Sequence, residues 1–122
     1  MLKLIYYPKC STCKKAVSWL QEHHVEFVAQ DIKATPPSKE ELKHYLTLTD
    51  KPINKFFNTS GLKYKELNLK EKITTLSEKE KITLLSQDGM LIKRPLLVGD
   101  DFILIGFKQE EYDKYIKKEG IK

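Results

Sequence analysis

Three apolar patterns in the first 32 residues constrain the fold most tightly. Leu2 to Tyr7 is a short apolar run ended by Pro8, which is the pattern of a buried strand. From Thr12 to about His23, Cys13, Ala16, Val17 and Leu20 recur at i, i+3, i+4 and i+7, one face of a helix. Val25, Phe27 and Ile32 then mark a second strand over Val25 to Ile32. A strand, a helix and a strand in about thirty residues is the length a parallel crossover requires.

Beyond this unit the signals are local. Pro36 and Pro37 end the second strand, and Ser38 with Glu41 forms a capping box opening a helix whose inner stripe is Leu42, Tyr45 and Leu46. Ile53 to Phe57 reads as a short helix, Asn58 to Gly61 as a turn, and Leu69, Ile73 and Leu76 as a further helical piece. Ser77 with Glu80 opens another helix, which runs through Leu84 and Leu85 and stops at Asp88-Gly89. Leu96 to Val98 and Phe102 to Ile105 are β-prone runs on either side of Gly99-Asp100-Asp101, a hairpin signal. Glu110 to Lys118 closes the chain as a helix with Tyr112, Tyr115 and Ile116 inward. The pattern predicts an α/β chain with one mixed four-stranded sheet flanked by helices. A single domain over residues 1–122 is expected, with a helical insertion over about 34–88 between the βαβ and ββα halves. There is no repeat, linker or low-complexity tract.

A composition of 40% hydrophobic and 32% charged residues supports one core and excludes a disordered chain. No apolar run is long enough for a bilayer, and the first residues lack the features of a secretory signal, so a cytoplasmic chain with no membrane partner is expected. The formal charge of +5 raises the question of nucleic acid. However, the lysines alternate with glutamates, as in SKEELK and SEKEKI, and Arg94 is the one arginine. That pattern is a solvated surface rather than a phosphate grip, so no direct nucleic-acid contact is expected. A monomer is expected.

Cys10-Ser-Thr-Cys13 sits where the first strand hands over to the first helix. A zinc site of this type needs two further Cys or His ligands. No other cysteine exists, and His23, His24 and His44 form no second ligand pair, so no metal is expected. A strand, C-x-x-C, helix succession is instead a thiol redox signature. Cys10 precedes the helix, where unpaired N–H groups and the positive end of the dipole favour a thiolate, and Lys9 and Lys14 add charge. Cys13 shares the apolar stripe and should be the more buried and less ionised thiol. The pair suits a nucleophile and a resolving thiol. Arg94-Pro95 is the second signal. Read alone, it fits either a shaped turn at a strand start or an ordinary edge proline beside a surface arginine.

The segments YYPKCSTCKKAVSWL, PPSKEEL, FFNTSGLKYKELNL and GMLIKRPLLV together resemble the arsenate reductase/Spx-like family (ArsC-like, Spx/MgsR). The resemblance implies a thioredoxin-like (glutaredoxin-like) fold with Cys10 as the redox cysteine, Pro95 as a cis-proline facing it and Arg94 beside the site. The family's glutathione-dependent arsenate reductases bind the oxyanion with the cysteine and three arginines, the first aligning near Asn58 and the last near Gly106. With one arginine this chain lacks two of the three. Cys13 makes an internal disulfide available, as in the Spx branch. The expected activity is thiol–disulfide exchange with Cys10 as nucleophile and Cys13 resolving. Arg94, Ser11, Thr12, Lys14, Asn58 and Pro95 are the expected anion-binding set. No bound cofactor is expected. Glutathione or another thiol reductant is the expected co-substrate, and glutaredoxin or thioredoxin the recycling partner. One alternative is a redox-sensing regulator docked on the α-subunit of RNA polymerase, although Thr49-Asp50-Lys51-Pro52 lacks the glycine of the Spx docking segment. The other is a glutathione/glutaredoxin-dependent arsenate reductase.

Overall fold

The chain runs β1 (Leu2–Tyr6), α1 (Ser11–Glu22), β2 (Phe27–Asp31), α2 (Lys39–Thr47), α3 (Leu62–Glu66), α4 (Leu69–Lys72), α5 (Glu78–Gln87), β3 (Leu96–Val98), β4 (Ile103–Ile105) and α6 (Gln109–Lys118). These elements come from a computed structural model that describes the backbone of residues 2–118 and the side chains of 2–116. Met1 and residues 119–122, which the single-domain expectation included, lie outside the described residues. Two compact units emerge, one made of Met1–Asp31 with Arg94–Lys122 and the other of Ile32–Lys93.

The first unit holds a mixed four-stranded sheet in the order β2-β1-β3-β4, as the sequence predicts. β1 runs parallel to β2, with Leu2 opposite Phe27, and antiparallel to β3, with Ile5 opposite Leu96. β3 and β4 form the expected hairpin, Leu97 opposite Leu104. Alternate residues of a strand face opposite sides. Leu2 and Leu4 therefore meet Ala16, Trp19 and Leu20 of α1 and Tyr112 and Ile116 of α6 in one core, with Leu97, Phe102 and Leu104. The α1 stripe differs from expectation in one place: Trp19 is buried and Val17 only half-buried. The indole reaches further than a valine, and its edge meets the Tyr112 ring at 5.5 Å. The second strand begins at Phe27 rather than Val25. His24 takes a left-handed φ of 56° and the Val25 N–H donates to the Leu20 carbonyl at 2.9 Å, so both residues serve the end of α1. As the edge strand β2 also leaves Val28 exposed.

The second unit is helical. Ser38 and Ser77 each close the capping box read from the sequence: the serine oxygen accepts from the third residue's N–H at 3.1 Å and the glutamate accepts from the serine N–H at 2.9 Å. α2 buries Leu42 and Tyr45, and α5 buries Ile82 and Leu85. A 3-10 turn at Ile53–Phe56 matches the expected short helix, and Phe57 then bridges to Ile92. The expected insertion, 34–88, lies within this unit, which extends further at both ends. Among the described residues no helix is long and apolar enough to cross a membrane.

Candidate functional site

Pro8 and Lys9 carry the chain from β1 to α1, and the Cys10 N–H closes that turn on the Tyr7 carbonyl at 3.0 Å. Cys10 is the N-cap of α1, with extended backbone (φ −87°, ψ 125°), and its carbonyl accepts from the Lys14 N–H. Its side chain makes no capping hydrogen bond, and the first turn of the helix carries no acidic residue. The positive end of α1 is therefore left to act on the sulfur. One turn on, Cys13 is fully buried, while Cys10 is half-exposed, and both thiols are free.

Their ionisation diverges for identifiable reasons. Burial pushes the Cys10 thiol up, but the N–H and thiol of Cys13, the Arg94 charge and the Thr12 N–H together outweigh it, and the net shift is downward. Burial pushes Cys13 up to about 12, helped by its bond to Cys10 and by that neighbour's charge. The Tyr7 N–H, which donates to Cys13 Sγ at 3.4 Å, opposes the rise but does not reverse it. Cys13 thus keeps its proton and shares it with Cys10.

Arg94 reaches this pair from the segment that leads into β3. The Arg94–Pro95 peptide is cis and Pro95 is buried. The guanidinium lies over the Tyr7 ring, 5.3 Å from its centroid. Among the described residues nothing accepts a hydrogen bond from its buried Nε and Nη1. Gly106 leaves β4 with a φ of 82°, a conformation that favours glycine, and its N–H donates to the Pro95 carbonyl at 2.8 Å.

Ser11, Thr12 and Lys14 are exposed on the first turn of α1. Lys14 also borders an open cleft of about 360 Å³ with Lys15, Trp19 and Phe107. Asn58 belongs to the second unit, where its Oδ1 accepts from the Ser60 hydroxyl at 3.3 Å and its N–H donates to the Leu91 carbonyl at 2.7 Å. Two residues escaped the sequence reading. Tyr7 touches both cysteines through its peptide groups and Arg94 through its ring. Tyr112 was read as core alone, yet its phenol is raised by burial first and then by the charges of Cys13 and Glu111. No local pattern marks either role, although continuing the β1–β3 register by two residues sets Tyr7 against Arg94. Among the described residues no cluster of three or more His, Cys, Asp or Glu could hold a metal ion.

A four-stranded mixed sheet with a dithiol at the start of its first helix defines a thioredoxin-like protein. Residues 5–115 match the ArsC family, and the chain belongs to that family. It is 50% identical over 113 residues to the uncharacterized protein YusI of Bacillus subtilis (strain 168), covering 93% of this chain and 96% of that one. It is 34% identical to the regulatory protein MgsR of the same organism, covering 94% and 90%. Its fold superposes on the crystal structure of a putative ArsC family related protein from Bacteroides fragilis with a TM-score of 0.90 and 48% identity, covering 93% and 95%.

Proposed function

We propose that the chain is a thiol–disulfide oxidoreductase of the ArsC family. The observation that carries this reading is the placement of two free thiols at the N-terminus of one helix, Cys10 part-exposed at the N-cap and Cys13 fully buried one turn on, which lowers the first thiol and raises the second. Cys10 thiolate attacks one sulfur of a disulfide R–S–S–R′, forming the mixed disulfide Cys10–S–S–R and expelling R′ as a thiolate, which takes up a proton from solvent. Cys13 then gives its proton to solvent and attacks the Cys10 sulfur, forming the Cys10–Cys13 disulfide and releasing R as a thiolate, which takes up a proton in turn. Two equivalents of glutathione, or another thiol reductant acting through glutaredoxin or thioredoxin, return the pair to dithiol and are themselves oxidised to a disulfide. The unpaired donors of Arg94, with Ser11, Thr12 and Lys14 at the helix start, suit a carboxylate on the group being exchanged. A reducing cytoplasm is the setting that this cycle needs.

Cys10→Ser is expected to abolish exchange, and Cys13→Ser to accumulate the mixed disulfide, read by mass spectrometry of the intact protein. Equal residual activity in the two variants overturns the assignment of roles. A second reading, a redox-sensing regulator acting through the RNA polymerase α-subunit, is favoured by the 34% identity to MgsR. Saturable, oxidant-dependent binding to the α C-terminal domain supports that reading, and absence of binding in both redox states removes it.

A further inference from the structure

We propose that Tyr7 is a positioning residue whose ring holds the Arg94 guanidinium in place while its peptide groups fix both cysteines, so that one side chain sets how close the cation stands to the dithiol. The proposal rests on the reading of Cys10 as the attacking thiol and adds what makes it so.

Tyr7 is the first residue past β1, two residues beyond the last β1–β3 pair, Ile5 with Leu96. Its carbonyl accepts from the Cys10 N–H at 3.0 Å, and its own N–H donates to Cys13 Sγ at 3.4 Å. These two bonds tie the peptide groups of Tyr7 to both ends of the Cys10–Cys13 segment. The ring lies under Arg94, 5.3 Å from the guanidinium carbon, within the range where an aromatic face attracts a cation. An arginine side chain is long and loses much rotamer freedom when it is held. Nε and Nη1 are buried with no acceptor among the described residues, so hydrogen bonds do not fix them. The π face is the contact that remains. Because that face acts through its ring and not its hydroxyl, phenylalanine can replace tyrosine and an aliphatic residue cannot.

The groups that bear on Cys10 are Cys13 and Arg94. Those that bear on Cys13 are Cys10, Arg94 and, from α6, Tyr112, itself influenced by Glu111. Among them Arg94 is the permanent cation, so displacing it moves the thiol titration in a known direction.

The test is the pH dependence of Cys10 alkylation by iodoacetamide in the full chain, for wild type, Tyr7→Phe, Tyr7→Leu, Arg94→Gln and the double variant Tyr7→Leu/Arg94→Gln. Tyr7→Phe keeps the wild-type midpoint. Tyr7→Leu raises it by about half a pH unit, or about threefold less thiolate below the midpoint. Arg94→Gln also raises it, and the double variant rises no further than Arg94→Gln alone. An unchanged midpoint in Tyr7→Leu, or full additivity in the double variant, overturns the proposal while Cys10 remains reactive in wild type. A wild-type midpoint at the ordinary thiol value instead removes the underlying assignment of Cys10, so the two failures are distinct. Tyr7→Met, whose unbranched, flexible side chain adapts to the space but has no aromatic face, gives the same readout where the leucine variant does not fold.

Discussion

Cys10 and Cys13 have the same chemistry and opposite settings, and the difference comes from one helical turn. Cys10 stands outside the first hydrogen-bonded turn and gains from donors that have no helical partner, whereas Cys13 sits inside it among the buried residues of α1, with Ala16 and Leu20. The linkage to stability has opposite signs for the two. Cys10, lowered on folding, contributes stability that is present above the ordinary thiol value and lost as pH falls through its folded value. Cys13, raised, contributes stability present below the ordinary thiol value and lost as pH rises toward about 12. A Cys13→Ala variant is therefore expected to lose less stability than wild type between about pH 9 and about pH 11, as read by urea denaturation at each pH. An equal loss in both proteins assigns the alkaline effect elsewhere.

The two long helices of the second unit begin with the same device, a serine and a glutamate three residues apart. Ser77→Ala removes the oxygen that accepts from the Glu80 N–H and leaves that donor to solvent. The expected loss is about 1 kcal/mol, measured by chemical denaturation, and Ser77→Asp should recover most of it. Such boxes were legible in the sequence because every partner lies within four residues. The strands were legible for a similar reason, since β-prone runs and the Gly99-Asp100-Asp101 turn are local signals. By contrast α3 gave no signal: it is short, its N-cap is Gly61 with no capping side chain, it leaves Leu62 exposed and it buries only Tyr64. The 3-10 turn at Gly89–Leu91 was hidden by the stop signal of Asp88-Gly89, which ends α5 and starts the turn at once. In the site, the cysteine spacing and the Arg94-Pro95 pair could be read, but the Tyr7 ring beneath Arg94 could not. That contact depends on strand pairing between distant parts of the chain, and periodicity carries no record of it.

The chain carries a formal charge of +5, and its dithiol site contains a guanidinium whose Nε and Nη1 are buried. The long-range field favours approach of anionic disulfides and is screened by salt, with a Debye length of about 8 Å at physiological ionic strength. Exchange with glutathione disulfide, which carries carboxylates, should slow as sodium chloride is raised, while exchange with neutral hydroxyethyl disulfide should hold steady. Parallel slopes for both would assign the salt effect to the thiol itself. The division of the first unit between the two ends of the chain has a different bearing, on the order in which the protein is made. Ile5 pairs with Leu96, so β1 leaves the ribosome with β2 close behind it and its other neighbour still untranslated. During that interval the thiols lack Arg94 and half of their sheet. A nascent chain arrested before residue 94 therefore bears a less acidic sulfur than the finished protein, and the full set of groups acting on Cys10 is complete only with the last stretch of translation.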